Sequence, residues 1–206
     1  LAPASLKKEG SHFDLAIALA YLLAAGDIRF KPEGKLFLCE LALDGTLRKV
    51  NGVLPLVRVA KEKGFKEVFV PEENREEAAL IRGIKVYGIA TLGELVDHLD
   101  EKKDKATPPK KLTPSRETVI AYTEAQFPID ISDVRRQEAA KRALEIAAAG
   151  GHNVALYGPA GTGKTMLARA FSSILPPLSE EEVLEVTSIH SVAGALRETY
   201  LIAPPF

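Results

Sequence analysis

Sulfur-containing residues are scarce in this sequence and tryptophan is absent, and these scarcities exclude several classes of protein. Cys39 is the only cysteine among 206 residues, so an internal disulfide is impossible and a reducing, cytoplasmic setting is expected. The only methionine is Met166, and we therefore expect the chain to be a piece of a longer protein. The longest apolar run, residues 15–25, has 11 residues, whereas a membrane-spanning helix needs about 20. No association with a membrane is expected.

Charge of one sign is not in excess either. The sequence has 27 Lys and Arg against 28 Asp and Glu, for a net charge of −1, so it lacks the global positive field of many nucleic-acid-binding proteins. Hydrophobic residues make up 46% of the chain, which excludes a disordered protein and suffices for a packed core.

The first hundred residues alternate between helical and strand periodicity, which predicts a compact α/β unit. Asn74 and Thr91 are expected to cap the helices that follow them, and Glu94 would complete a capping box with Thr91. Cys39 falls in the first strand and is interpreted as a core residue rather than a nucleophile. Helices are predicted at residues 15–23, 53–63, 74–81 and 92–99, and strands at 36–43, 67–70 and 84–89.

The composition changes after residue 100. Residues 101–125 combine charge with Pro108, Pro109 and Pro114 and have no apolar period, which is typical of a linker. We therefore predict a domain at 1–100, a linker at 101–125 and a second domain at 126–206. The linker is interpreted as a solvated tether, and contact with a phosphate backbone is the alternative for its lysines. These lysines are at positions 102, 103, 105, 110 and 111.

The second domain carries the motif from which chemistry is predicted. Residues 158–165, G-P-A-G-T-G-K-T, match the phosphate-binding pattern G-x-x-x-x-G-K-[ST]. A strand is predicted before the motif at 153–157 and a helix after it at 163–174, as this mechanism requires. Helices are also predicted at 138–149 and after Ser179, where S-E-E-E reads as a capping box.

Each type of residue in the motif has a physical role. Gly158, Gly161 and Gly163 let the backbone direct its N–H groups at phosphate oxygens. Lys164 would place its charge between the β- and γ-phosphates, and the Thr165 hydroxyl would ligate Mg²⁺. ATP and Mg²⁺ are thus the expected cofactors.

Hydrolysis needs a further acidic residue that holds the metal and water, usually at the end of an apolar strand. No such strand is predicted after Thr165, and the similar sequence F-V-P-E-E at 69–73 precedes the loop. We expect this chain to bind nucleotide and to hydrolyse it poorly.

Several stretches resemble a known family. Residues 130–153, the loop, I-L-P-P-L at 174–178 and I-H-S-V-A-G at 189–194 resemble magnesium-chelatase-like AAA+ ATPases of the YifB/ComM type. L-A-P-A-S at 1–5, K-E-G at 8–10 and D-L-A-I-A at 14–18 resemble the Lon-protease-like domain that precedes the ATPase in that family. The resemblance covers nearly the whole chain apart from the linker.

The resemblance implies a Lon-protease-like α+β domain, with its start missing, followed by the beginning of a doubly wound α/β AAA+ module. It implies assembly into a ring, with a hexamer as the expected size, and DNA remodelling as in the competence-type members. Arg136 departs from the family, which usually has glycine there, and Ala160 stands where proline is common. The implied nucleotide-binding residues are Gly158, Pro159, Ala160, Gly161, Thr162, Gly163, Lys164, Thr165 and Met166, with Ile131 and Val134 beside the adenine and Thr165 on Mg²⁺.

Two alternatives are an ATP-dependent protease and a magnesium chelatase motor subunit. Lon-like proteases use a serine activated by a lysine. The resemblance places His12 at the serine position with Ser11 beside it, and Val50 near the lysine position with Lys49 adjacent. An inactive protease fold that serves as an assembly surface is favoured over a Ser11–Lys49 dyad, and no catalytic residue is assigned. Chelatase motor subunits lack a Lon-like domain, so the first hundred residues disfavour the second alternative.

Overall fold

The computed structural model describes residues 11–101, 111–122 and 127–202. The fold is mixed α/β with a parallel sheet. The chain divides into two compact units, of which the first contains Leu1–Val119 and Ser188–Thr199 and the second Ile120–Thr187 and Tyr200–Phe206. Residues 188–199 thus pack within the first unit, although they follow the phosphate-binding motif in sequence.

The described strands all belong to the first unit. They are β1 (Lys35–Phe37), β2 (Glu40–Leu41), β3 (Leu47–Arg48), β4 (Glu67–Pro71) and β5 (Lys85–Ile89). Strands β1, β4 and β5 form a parallel sheet in the order β1-β4-β5, and β2 pairs with β3 in an antiparallel hairpin.

The single strand predicted at 36–43 is wrong, because the chain changes partner within it. The parallel ladder of β1 ends with the Leu38 N–H, which donates to the Phe69 carbonyl at 2.9 Å. The following residues pair with β3 instead, across a turn at Asp44 and Gly45. The Asp44 carboxylate accepts hydrogen bonds from the Thr46 N–H at 3.0 Å and hydroxyl at 2.6 Å, which stabilises this turn and lowers the pKa of Asp44.

The described helices are close to those predicted, because their end signals are local. Gly26 and Gly151 adopt left-handed conformations after the first and fifth helices, and the Thr91 hydroxyl accepts from the Glu94 N–H at 3.2 Å. None of the described helices is long and apolar enough to span a bilayer. The helices are α1 (Asp14–Ala25), α2 (Val53–Glu62), α3 (Arg75–Ala78), α4 (Leu92–Leu99), α5 (Glu138–Gly150), α6 (Lys164–Phe171) and α7 (Glu180–Val192).

Helix α3 differs from its prediction at both ends. It ends at Ala78 rather than at residue 81, and the chain continues in tight turns. Asn74 makes no side-chain cap bond to α3. Its amide instead accepts from the Val50 N–H at 3.0 Å and donates to the Val50 carbonyl at 2.9 Å. The Asn74 side chain therefore bonds the backbone of a residue distant in sequence instead of capping α3, as was predicted.

An aromatic row crosses the parallel sheet. Phe37, Phe69 and Tyr87 occupy one register position on neighbouring strands, and their rings stack with centroids 5.0 and 4.9 Å apart. His98 of α4 lies 5.1 Å from the Tyr87 ring. Such cross-strand pairs fix strand register. Cys39 belongs to the same core and is buried, as predicted.

Residues 111–119 of the predicted linker are part of the first unit. The Leu112 N–H donates to His98 Nδ1 at 3.0 Å, and Lys111 Nζ donates to the His98 carbonyl at 2.6 Å. Burial of His98 and its proximity to Lys111 lower the pKa of this imidazole, which keeps Nδ1 available as an acceptor. The Ser115 N–H then donates to the carbonyl of Val86, on edge strand β5, at 2.7 Å. The lysines at 102, 103, 105 and 110 lie outside the described residues.

The second unit has a small core between α5 and α6, built from Val134, Leu144, Leu167 and Ala170. Residues 153–157, predicted as a strand, form none. A strand requires a neighbouring strand to which it is hydrogen-bonded. The described residues of the second unit contain no strand that could pair with residues 153–157. Tyr157 is consequently exposed.

Candidate nucleotide-binding site

The phosphate-binding motif forms an exposed loop that leads directly into α6. Gly161 has a φ of 77° and Gly163 a φ of 85°, both in the left-handed region that side chains disfavour. No atom lies within 4 Å of the position that a Cβ would occupy on either glycine. The glycines are therefore required for their backbone conformation, and the space beside them is open.

Helix α6 begins inside the motif, at Lys164. The first intrahelical bond of this turn joins the Leu167 N–H to the Gly163 carbonyl at 2.9 Å. The preceding N–H groups, those of Lys164, Thr165 and Met166, have no acceptor within the helix. Gly163 provides no side-chain cap for them. Together with the positive end of the helix dipole, these groups favour an anion at this position.

Two side chains close the loop on itself. The Lys164 ammonium and the Thr162 hydroxyl both donate to the carbonyl of Pro159, the hydroxyl at 2.9 Å. The ammonium also lies 3.5 Å from the Thr162 hydroxyl, so it lies within the curve of the loop and both of these partners are uncharged. A phosphate oxygen is a stronger partner for an ammonium group, because that hydrogen bond is charge-assisted.

A strained turn borders the loop. Among the described residues, Arg136 and Gln137 are the non-glycine residues with positive φ, at 57° and 67°. Such conformations cost roughly 1 kcal/mol or more for residues other than glycine. The positive φ at position 136 explains why glycine, which adopts this conformation without steric cost, fits there better than arginine. The Gln137 side-chain amide reaches the Thr162 carbonyl at 3.5 Å, a long hydrogen bond between this turn and the loop.

Ile131 and Val134 belong to the core of the second unit. Val134 is 4% exposed and packs with Leu167 of α6, and Ile131 packs against the same cluster. A 3-10 turn, Ile131–Asp133, holds them in place through a capping box with Asp130. The Asp130 carboxylate accepts from the Ser132 N–H at 2.8 Å, and hydrogen bonds from Ser132 lower the pKa of this carboxyl.

Thr165 and Met166 follow Lys164 on the first turn of α6, and both are exposed, as is Ala160 in the loop. Within the described ranges, no group of three or more His, Cys, Asp or Glu side chains is placed to hold a metal ion. The exposed Thr165 hydroxyl is an oxygen ligand of the hard type that Mg²⁺ prefers.

The residues considered for a protease site lie in the first unit. His12 Nε2 lies 2.9 Å from the Asn51 carbonyl, so His12 contacts the loop that carries Lys49 and Val50. Lys49 is exposed, and Val50 is buried. The interpretation of this unit as an inactive protease fold stays a prediction, with the Ser11–Lys49 dyad as its disfavoured alternative. Burial raises the pKa of the Cys39 thiol to about 12, so this group is protonated and is not a nucleophile.

Three buried polar side chains form a network that sequence reasoning did not find. Asn74, Glu77 and Ser191 are 0, 5 and 3% exposed. Glu77 accepts hydrogen bonds from the Leu54 N–H and the Asn74 amide, both at 3.1 Å, and from the Ser191 hydroxyl. The Gly52 N–H donates to Ser191 Oγ at 3.0 Å. The network bonds the Leu54 N–H in the first turn of α2 and the Val50 and Gly52 N–H groups before the helix.

Comparison with known proteins places the chain in a family. Residues 130–206 match a family model described as magnesium chelatase, subunit ChlI, and residues 1–74 match one described as subunit ChlI of Mg-chelatase. Uncharacterized protein Rv2897c of Mycobacterium tuberculosis is 46% identical over 212 residues, which cover 100% of this chain and 40% of that protein.

Two further relatives carry the names that define the type. Competence protein ComM of Haemophilus influenzae is 39% identical over 195 residues, covering 93% of this chain and 37% of ComM. Uncharacterized protein YifB of Escherichia coli is 40% identical over 196 residues, covering 95% of this chain and 37% of YifB. The chain thus spans 37 to 40% of the length of these relatives. It belongs to the magnesium-chelatase-like family of the ComM and YifB type.

Proposed function

We propose that this chain binds ATP with Mg²⁺ through residues 158–165 and is the nucleotide-binding part of an AAA+ motor. The observation that carries the proposal is the open loop before α6, with left-handed Gly161 and Gly163 and the Lys164 ammonium inside its curve. An exposed anion-binding N–H cluster and a cation converge there, as a triphosphate requires.

The residues of the chain would divide the work of binding. Lys164 would exchange the Pro159 carbonyl for β- and γ-phosphate oxygens, and the Thr165 hydroxyl would meet the Mg²⁺ ion. The backbone N–H groups of Ala160, Thr162 and Met166 would complete the phosphate cradle, and Pro159, which has no N–H, would shape the turn beside the phosphates. Ile131 and Val134 would border the adenine from the core beside α6. When bound, Mg·ATP supplies the phosphoanhydride bond whose cleavage drives a motor.

For the longer protein we propose a cytoplasmic ring, with six subunits as the expected number, that remodels DNA. The name of the relative ComM, a competence protein, supports this choice of substrate. Residues 1–100 would form a Lon-protease-like domain without a catalytic role, joined through 101–125 to the AAA+ residues 126–206. Among the described residues after Thr165, no strand presents an acidic residue to the loop, so we expect slow hydrolysis by this chain.

The test is calorimetric titration of Mg·ATP into the chain and into Lys164→Ala. Loss of a charge-assisted hydrogen bond costs about 1.5–3 kcal/mol, so affinity should fall about tenfold to a hundredfold. Lys141→Ala is the matched control, because Lys141 belongs to the same unit and pairs with Glu138 at 3.9 Å. Equal affinity of the wild type and Lys164→Ala for ATP would reject the proposal.

A further inference from the structure

Five cations from two short segments, residues 61–66 and 82–85, lie at one end of the parallel sheet of the first unit. All five are exposed. The fold brings the two segments together. We call this group the basic rim; it consists of Lys61, Lys63, Lys66, Arg82 and Lys85.

Strand register fixes the centre of the rim. Lys85 is the first residue of β5, and Lys66 immediately precedes β4. The Lys85 N–H donates to the Lys66 carbonyl at 3.0 Å, and the Lys66 N–H donates to the Gly34 carbonyl at 2.8 Å. Parallel strands begin at the same edge of a sheet, so Lys66 and Lys85 both lie at this edge, on strands about 4.8 Å apart. Lys85 is in register with Glu67, so the side chains of Lys66 and Lys85 leave opposite faces of the sheet.

The end of α2 brings the remaining cations to the same edge. Lys61 lies in the last turn of α2, and Lys63 directly follows the helix. Lys61 Nζ lies 3.8 Å from the position that a Cβ would occupy on Gly83. Gly83 and Arg82 form the turn that leads into β5. Lys61 therefore reaches the same corner of the unit as Arg82.

Carboxylates border the rim. Glu62 lies 3.7 Å from Arg58, and Glu67 lies 3.1 Å from Lys35, and both of these cations lie outside the rim. Glu67 is also the register partner of Lys85, so one carboxylate lies beside the centre of the rim. Glu33 is the exposed carboxylate of the adjoining loop. A helix C-terminus attracts cations through its dipole, which accounts for Lys61 and Lys63. It does not account for the positive charges of Arg82 and Lys85 at the start of a strand.

We propose that the basic rim binds the phosphate backbone of double-stranded DNA, a proposal that rests on the proposed action of the protein on DNA. Duplex DNA carries one negative charge per about 1.7 Å of axis, and lysines bind it without reading the sequence. Phe65, the aromatic residue between Lys63 and Lys66, is partly buried, so it offers single-stranded bases less stacking surface than an exposed ring would. Helix α2, which carries Lys61, exposes two large apolar side chains, Leu56 and Val59. An interfacial membrane helix buries a whole apolar face in the lipid, so this edge is less suited to a membrane than to DNA.

The experiment measures fluorescence anisotropy of a labelled duplex of about 25 base pairs between about 50 and 200 mM salt. The triple variant Lys61→Ala, Lys66→Ala and Lys85→Ala should weaken binding at least about tenfold at the lowest salt. It should also reduce the salt slope by about 0.9 for each phosphate that the rim no longer neutralises, for duplexes of any sequence. The matched control removes three exposed cations elsewhere in the first unit, through Arg48→Ala, Lys49→Ala and Arg116→Ala, and should change the affinity less than about twofold.

Three results would overturn the proposal. Equal weakening of duplex binding by the rim and control variants would show that the rim has no special part in binding DNA. That result would not contradict the proposal that the chain binds ATP. No binding of the duplex by the wild type at the lowest salt would remove both the rim proposal and the DNA part of the proposed function, while Lys164→Ala still tests the nucleotide part. Vesicles of phosphatidylserine that bind the wild type and not the rim variant, with duplex binding unchanged, would make the rim a membrane surface.

Discussion

Two loops that precede helices show how one chain builds a structural turn and a ligand site differently. Residues 50–54, before and within the first turn of α2, are held by the buried side chains of Asn74, Glu77 and Ser191, which come from distant parts of the sequence. Residues 158–165, before α6, are held by their own Lys164 and Thr162, which bond the carbonyl of Pro159 at the surface.

The difference lies in what satisfies the helix N-terminus. The Leu54 N–H of α2 is bonded to the Glu77 carboxylate, so the protein supplies the anion that the positive end of the helix favours. The exposed first turn of α6 faces solvent instead, with a cation beside it and no side-chain cap. A carboxylate of the chain thus fills the first site, and the second is open to a phosphate from solution.

The largest effect is expected from breaking the buried loop. Asn74→Ala leaves the Val50 N–H and carbonyl without partners and removes one donor from Glu77, so the free energy of unfolding should fall by about 2–4 kcal/mol. Urea unfolding followed by circular dichroism measures this loss. Asn51→Ala, at an exposed asparagine of the same unit, is the control and should cost less than about 0.5 kcal/mol. Equal costs for the two variants would contradict the role of the network.

A smaller gain is expected beside the phosphate loop. Arg136→Gly removes the steric cost of a φ of 57° and should stabilise the second unit by about 0.5–1 kcal/mol, because the gain exceeds the added entropy of the unfolded chain. Slower hydrogen exchange at the α5 amides would report it. The control is Arg135→Gly, at a residue without positive φ, which should speed the same exchange. Faster exchange in Arg136→Gly would contradict the assignment of strain to this turn.

The smallest effect on stability is expected within the phosphate loop itself. Thr162→Ala removes the hydroxyl bond to the Pro159 carbonyl, but solvent replaces this exposed bond, so the free energy of unfolding should change by less than about 0.5 kcal/mol. Urea unfolding is again the measurement. A loss of about 2 kcal/mol or more would show that the loop contributes to the fold as residues 50–54 do, and the comparison would fail.

The features that the sequence predicted correctly depend on neighbours within a few residues. The hydroxyls of Thr91 and Ser179 cap helices by accepting from the N–H groups of Glu94 and Glu182, and Gly26 ends one helix through its own conformation. The capping box predicted at Thr91 is not formed, because the Glu94 carboxylate accepts from the Ala90 N–H instead. The phosphate-binding motif is likewise local, because eight consecutive residues carry its glycines, lysine and threonine. Periodicity and end signals therefore sufficed for most helices, and the motif sufficed for the position of the loop.

The features that it missed depend on partners far along the chain. Asn74 is a residue type that often caps helices, and it directly precedes α3, yet its amide bonds the backbone of Val50. The Glu77 carboxylate accepts a hydrogen bond from Ser191, which lies more than a hundred residues further along the chain. Residues 153–157 have the composition of a strand, but composition supplies no strand to pair with. The basic rim follows from strand register, which no local pattern encodes.

Hydrogen exchange at both loops, with and without saturating Mg·ATP, tests the central claim most directly. The account predicts slower exchange of the amides of residues 161–165 when nucleotide is bound, no change at Gly52 and Leu54, and loss of the effect in Lys164→Ala. Unchanged exchange at residues 161–165 in the wild type, or the same slowing in Lys164→Ala, would contradict it.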